Sequence, residues 1–197
     1  MNVRGDAAPG DSLRSIHESV WIAPTAQLYG KISIGEGSSV WHNAVARAEC
    51  QEIAVGRIAN IQDFVMLHVG FDTPTRIGDF CSIAHHATVH GCTLGNAVLV
   101  GPGAVIMDGA EIGAGSIVAG GAIVPEGRIF PPHAILAGVP AKKIGERDSS
   151  RPNRLNAWLY HRNAEFTRRG DYRCWEGPDY DAWLSAKTAE VEHDTDL

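Results

Sequence analysis

The stretch LGNAVLVGPGAVIMDGAEIGAGSIVAGGAIV, residues 94–124, decides the fold. Leu94, Val100, Ile106, Ile112, Val118 and Val124 recur at a six-residue step without a slip. Gly95, Gly101 and Gly113 follow three of them, and Ala104, Ala110, Ser116 and Ala122 stand two residues ahead of an aliphatic position. A period of six fits neither an α-helix nor a single flat strand. It fits a triangular solenoid in which six residues make one short strand and one corner, and three such units close a coil around a narrow aliphatic axis. Working outward, the same step runs through Ile22, Leu28, Ile34, Val40 and Ala46, then through Val55, Ile61, Leu67 and through Ile77, Ile83, Val89. Ordinary strands joined by turns are the competing reading, and the purity of the run argues against it.

The breaks in step are equally informative. Leu67 to Ile77 is ten residues, which predicts a loop at 69–76 with turn-forming Asp-Thr-Pro-Thr composition. After Val124 the pattern gives way to a stretch holding Pro131, Pro132 and Pro140, and helices are predicted over about 153–169 and 178–192. Leu155, Trp158, Leu159 and Phe166 fall at helical spacing on the first. The reading is all-β: an N-terminal segment over 1–20, a parallel β-helix of hexapeptide repeats over 21–145, and a C-terminal α-helical extension over 146–197. Such an extension covers a flank or an open end that otherwise presents unpaired edge groups.

Composition bounds the function. Lys and Arg number 17 against 23 Asp and Glu in 197 residues, so no basic surplus is available for a nucleic-acid backbone. Mean hydropathy is −0.10 and no long charge-free apolar run occurs, so no membrane span is expected. Residues 1–20 lack the apolar core of a signal peptide, which predicts a soluble, cytoplasmic protein. Cys50, Cys81, Cys92 and Cys174 show no CxxC spacing and are read as reduced thiols.

Threading three units per coil puts Ala46, Leu67 and Val89 on one face, Val55 and Ile77 on the second, and Val40, Ile61 and Ile83 on the third. Arg47, His68 and His90 each follow an aliphatic residue of the first face and stack in one column, about 4.8 Å apart. His68 and His90 can therefore share one ion at roughly 2.0–2.1 Å from each nitrogen. His85 lies two residues past Ile83, on a different corner, so its contribution to the same ion has to come from a neighbouring subunit. Closed threefold symmetry supplies that arrangement three times. Three neutral imidazoles leave a fourth position for water, the pattern of a catalytic rather than a structural zinc site. Taken singly, each histidine reads as an ordinary surface or hydrogen-bonded residue, as His17, His42, His133, His161 and His193 do.

The strings Asn60-Ile61-Gln62-Asp63, His68, His85, His90-Gly91-Cys92-Thr93-Leu94-Gly95 and Gly138-Val139-Pro140-Ala141-Lys142 resemble the gamma-class carbonic anhydrases over roughly residues 20–145. The resemblance implies a left-handed β-helix and a homotrimer with zinc, iron or cobalt between subunits, held by His68 and His90 of one chain and His85 of the next. It also implies that Gln62 hydrogen-bonds the metal's water and that Arg47 and Asp63 join subunits beside the metal. The usual Arg-Gly-Asp of the family reads Arg47-Ala48-Glu49 here, and its proton-shuttling acidic loop has no counterpart, since residues 69–76 offer only Asp72. Ile135-Leu136-Ala137 lacks polar side chains found near the metal in some relatives.

The leading expectation is reversible hydration of carbon dioxide to bicarbonate, with the metal bringing its water's pKa toward 7 and His86 as a proton relay. Hydrolysis of an acyl-CoA thioester on the same centre and a non-catalytic, metal-stabilised trimeric scaffold are the alternatives. Metal-free acyl transfer is disfavoured by the stacking of His68 on His90.

Overall fold

The six-residue step sets the register of the whole ladder. In the computed structural model, which describes residues 14–194, Ala46 stacks on Leu67 and Leu67 on Val89, Val55 on Ile77, and Val40 on Ile61 and Ile83. These are the three columns that the spacing predicts, and the chain winds as a left-handed parallel β-helix. An eight-stranded sheet forms one face. An eleven-stranded sheet makes the other two, continuous through the long strands Gln27–Ile34 and Val45–Val55, whose two halves pair on different faces. Arg14–Ile16 already lies in this ladder, parallel to Ile32–Ile34.

The aliphatic column fills the axis: Val100, Ile106, Val118 and Val124 are fully buried. Each such side chain contributes about 1.5–3 kcal/mol relative to exposure. Because the contribution repeats coil by coil, stability is distributed along the axis rather than concentrated in one centre. Glycine after the aliphatic residue answers a close approach between coils, since a Cβ on Gly101 would sit 2.5 Å from the Gly120 nitrogen.

Beyond Val124 the structure departs from the sequence reading. The six-residue step continues through Phe130, which stacks on Ile112, and Leu136, which stacks on Val118. An aromatic at position 130 and the adjoining prolines disguise one more coil. Lys142–Glu146 then turns back antiparallel on Ala134–Ala137 and covers the edge that this coil would leave open. The expected loop at 69–76 is shorter than its spacing suggests, because Thr75 and Arg76 already belong to the strand Thr75–Ile77.

Two helices follow, α1 (Ser150–Arg168) and α2 (Pro178–His193). Helix α1 starts three residues ahead of its predicted position, while α2 begins at the expected proline, suited to a first helical turn. Helix α1 lies across the flank formed by Trp21–Ile22, Ser39–Val40, Asn60–Ile61 and Ser82–Ile83. Asn153 donates to the carbonyls of Ala97 (2.8 Å) and Ser116 (3.2 Å), and Arg168 donates to that of Ser19 (2.7 Å). Among the described residues no helix is long and apolar enough to cross a membrane.

Candidate metal centre

The register of the first face carries polar residues with it. Arg47 pairs with His68 and His68 with His90 across neighbouring strands, so the three side chains share one column. The two rings lie 4.7 Å apart at 63°, with His68 Nδ1 2.8 Å from His90 Nε2. The outer nitrogen of each ring meets a carboxylate: His90 Nδ1 donates to Asp108 in a close contact, and His68 Nε2 lies 3.1 Å from Glu49 Oε2. Glu49 also forms a close ion pair with Arg47. Thr75 ties down the strand ends here, its hydroxyl accepting from Gly91 N (2.8 Å) and donating to the His68 carbonyl.

Proton accounting shows what this pair lacks. If both carboxylates accept, His90 carries its proton on Nδ1 and His68 carries one on Nε2, so the facing His68 Nδ1 and His90 Nε2 are two lone pairs at 2.8 Å. Filling the gap with a proton requires one of the two rings, His68 or His90, to be doubly protonated. Burial, with the Arg47 guanidinium and the His90 ring nearby, instead holds the His68 imidazole below its usual value. Two imidazole nitrogens that converge at this distance, with carboxylates on the far nitrogens, suit a divalent cation.

The structure puts His85 on a different corner. Its Nδ1 lies 3.1 Å from Asp63 Oδ2, and its side chain is 46% exposed. The third imidazole therefore has a carboxylate as well, and its other nitrogen is available outside the chain. Within one chain, among the described residues, no group of three or more His, Cys, Asp or Glu side chains is placed to hold a metal ion. Gln62, just before Asp63, is buried and donates from Nε2 to Asn60 Oδ1 (2.9 Å). His86, just after His85, stacks on the half-exposed Phe64 with centroids 4.8 Å apart.

Sequence reasoning missed three of these residues. Asp108 follows Met107, which extends the His90 column by one coil, and the regular step through Val100 and Ile106 locates it. In the sequence Glu49 reads only as a departure from the Arg-Gly-Asp motif, whereas the structure sets it against a histidine of the column. Tyr160 of α1 packs edge-on against Trp41 (5.8 Å), and burial together with the Asp63 carboxylate pushes its phenol up. Only the docking of α1 brings it there.

Comparison with known proteins gives consistent relationships. Residues 91–126 match the family described as bacterial transferase hexapeptide (six repeats). A "Probable carbonic anhydrase" of Methanocaldococcus jannaschii is 51% identical over 131 residues, covering 66% of this chain and 82% of that protein. "Gamma carbonic anhydrase 2, mitochondrial" of Arabidopsis thaliana is 39% identical over 99 residues, or 47% of this chain and 36% of the plant protein. The match thus spans well under half of the plant relative. Among solved structures, a hexapeptide transferase family protein from Anaplasma phagocytophilum superposes with a TM-score of 0.73 at 34% identity, covering 77% of this chain and 91% of that one.

Proposed function

This chain belongs to the gamma-class carbonic anhydrase family, and from that premise we propose that it is a trimeric metalloenzyme that hydrates carbon dioxide reversibly to bicarbonate. The observation that carries the proposal is the set of three imidazoles, each with a carboxylate on one nitrogen: His90 with Asp108, His68 with Glu49 and His85 with Asp63. Zinc, iron(II) or cobalt held by such a set would supply the Lewis acidity that makes water a nucleophile near neutral pH.

The chain's own residues divide the remaining work. Asp108, Glu49 and Asp63 fix ring orientation and raise the basicity of the ligating nitrogens. His68 and His90 come from one subunit and His85 from the next, which couples metal content to assembly. Gln62 orients the nucleophile or the substrate through its free carbonyl. Arg47, on the outward column, joins the next subunit beside the metal, with Asp63 as its counterpart there. His86, exposed beside His85, is the candidate to carry the proton to buffer.

The test is stopped-flow carbon dioxide hydration by metallated protein across a buffer series. With no acidic shuttle loop, the rate should rise with buffer concentration before saturating. Complete inactivity of a fully metallated trimer would overturn the anhydrase reading. The likeness to a hexapeptide transferase supports acyl transfer as a second reading. Turnover of acyl-CoA that survives removal of metal would favour it, and metal-dependent acyl-CoA hydrolysis would move the weight to thioester hydrolysis.

A further inference from the structure

A chain of amide and hydroxyl groups, buried at its inner end, links α1 to Gln62. Asn156 of α1 donates from Nδ2 to Ser82 Oγ (2.8 Å), Asn60 donates from Nδ2 to the same Oγ (2.8 Å), and Gln62 donates from Nε2 to Asn60 Oδ1 (2.9 Å). Asn60, Gln62 and Ser82 are at most 3% exposed, which shuts water out of the inner links, while Asn156 at the outer end is half-buried. In this polarity Asn60 Nδ2 also faces the Cys81 carbonyl at 3.5 Å. With Asn60 Oδ1 committed to Gln62, the Gln62 amide turns its nitrogen inward. Its Oε1 makes no hydrogen bond among the described residues and is not sealed from solvent.

We infer that Asn156 is a positioning residue: through Ser82 and Asn60 it holds the Gln62 amide so that the side chain presents an acceptor, not a donor, to the reacting centre. An acceptor suits the proton of a water or hydroxide, whereas a donor would compete with the cation for its lone pair. This assigns α1 a part in the chemistry beyond covering the solenoid flank. The inference rests on the proposed hydration reaction for its catalytic consequence, but the relay itself can be tested without turnover.

The sequence holds three glutamines, Gln27, Gln51 and Gln62, so selective ¹⁵N-glutamine labelling of the full metallated protein resolves the Gln62 side-chain amide, identified by its loss in Gln62→Glu. Asn156→Leu, which keeps the branched shape but deletes the donor, and Ser82→Ala should each shift the two Gln62 amide protons and speed their exchange. Arg168→Ala, which cuts a different tie between α1 and the solenoid, should leave them in place. In hydration assays both relay variants should lower kcat about tenfold with KM unchanged, and the double variant should be no worse than the poorer single, as expected for one coupled unit. Unchanged Gln62 resonances in Asn156→Leu would overturn the inference, as would equal shifts in Arg168→Ala. If the parent protein proves inactive, the hydration proposal fails while the amide resonances still decide the relay.

Discussion

Replacing Asp108 tests the link between solenoid register and metal affinity. Asp108 accepts from His90 Nδ1, leaving Nε2 as the ring's donor to a cation. In Asp108→Ala that acceptor and its charge vanish, the ring can flip or change tautomer, and affinity should fall between about tenfold and a hundredfold, or ~1.4–2.7 kcal/mol. The fold should suffer less. The His90 and Asp108 side chains are 27% and 35% exposed, so water replaces the lost acceptor and the metal-free protein should lose no more than about 1 kcal/mol. Asp108→Asn keeps an oxygen in place without the charge and should sit near the tenfold end. Chelator competition gives the affinity and urea unfolding of the metal-free form gives the stability. Asp148→Asn, which alters the carboxylate 3.6 Å from His133, is the control. Metal affinity in Asp108→Ala equal to that of the parent would refute the reasoning, as would an equal loss in the Asp148 control.

Three other predictions follow from separate parts of the molecule. Burial pushes the Cys81 and Cys92 thiols up to about 12 from an ordinary 9. The folded state then keeps protons that the unfolded chain releases, so stability should fall as pH rises from 9 toward 12, by ~1.4 kcal/mol per thiol per pH unit. Unfolding at pH 8, 9 and 10 measures this slope, and a slope that Cys81→Ala/Cys92→Ala does not flatten contradicts it. Gly30 has φ +84°, and a Cβ there would lie 1.8 Å from the Ala48 carbonyl oxygen. Gly30→Ala should therefore cost about 2 kcal/mol or more in urea unfolding, and an unchanged midpoint would contradict the close packing of the two long strands. Arg47→Ala should weaken assembly by up to about 3 kcal/mol while leaving the axis intact, since Arg47 is on the outward column. Mass photometry at falling concentration checks it, and a variant that stays trimeric throughout speaks against the role.

The columns of the solenoid were legible because one aliphatic side chain in six has to enter a narrow axis, and that constraint leaves a period in the sequence. Counting along it sufficed to stack Arg47, His68 and His90 and to place His85 on another corner. Legibility failed where the axis residue changed character, as at Phe130, and where a contact depends on tertiary docking rather than on step. No periodic signal points from Asn156 to Ser82 or from Tyr160 to Trp41, since the flank on which α1 settles is chosen by packing. Glu49 escaped for a third reason: it lies in the nine-residue step from Ala46 to Val55, where counting loses register.

The central claim is a metal centre completed by a second copy of the chain, and complementation between two defective variants tests it most directly. His85→Ala and His68→Ala are purified separately, unfolded, mixed and refolded with metal, and bound metal is counted per trimer. Neither variant alone should hold metal at the centre, while mixed trimers should regain it at each interface where an intact His68–His90 pair meets an intact His85. Full metal content in His85→Ala alone, or no recovery in trimers shown to be mixed, would contradict the account.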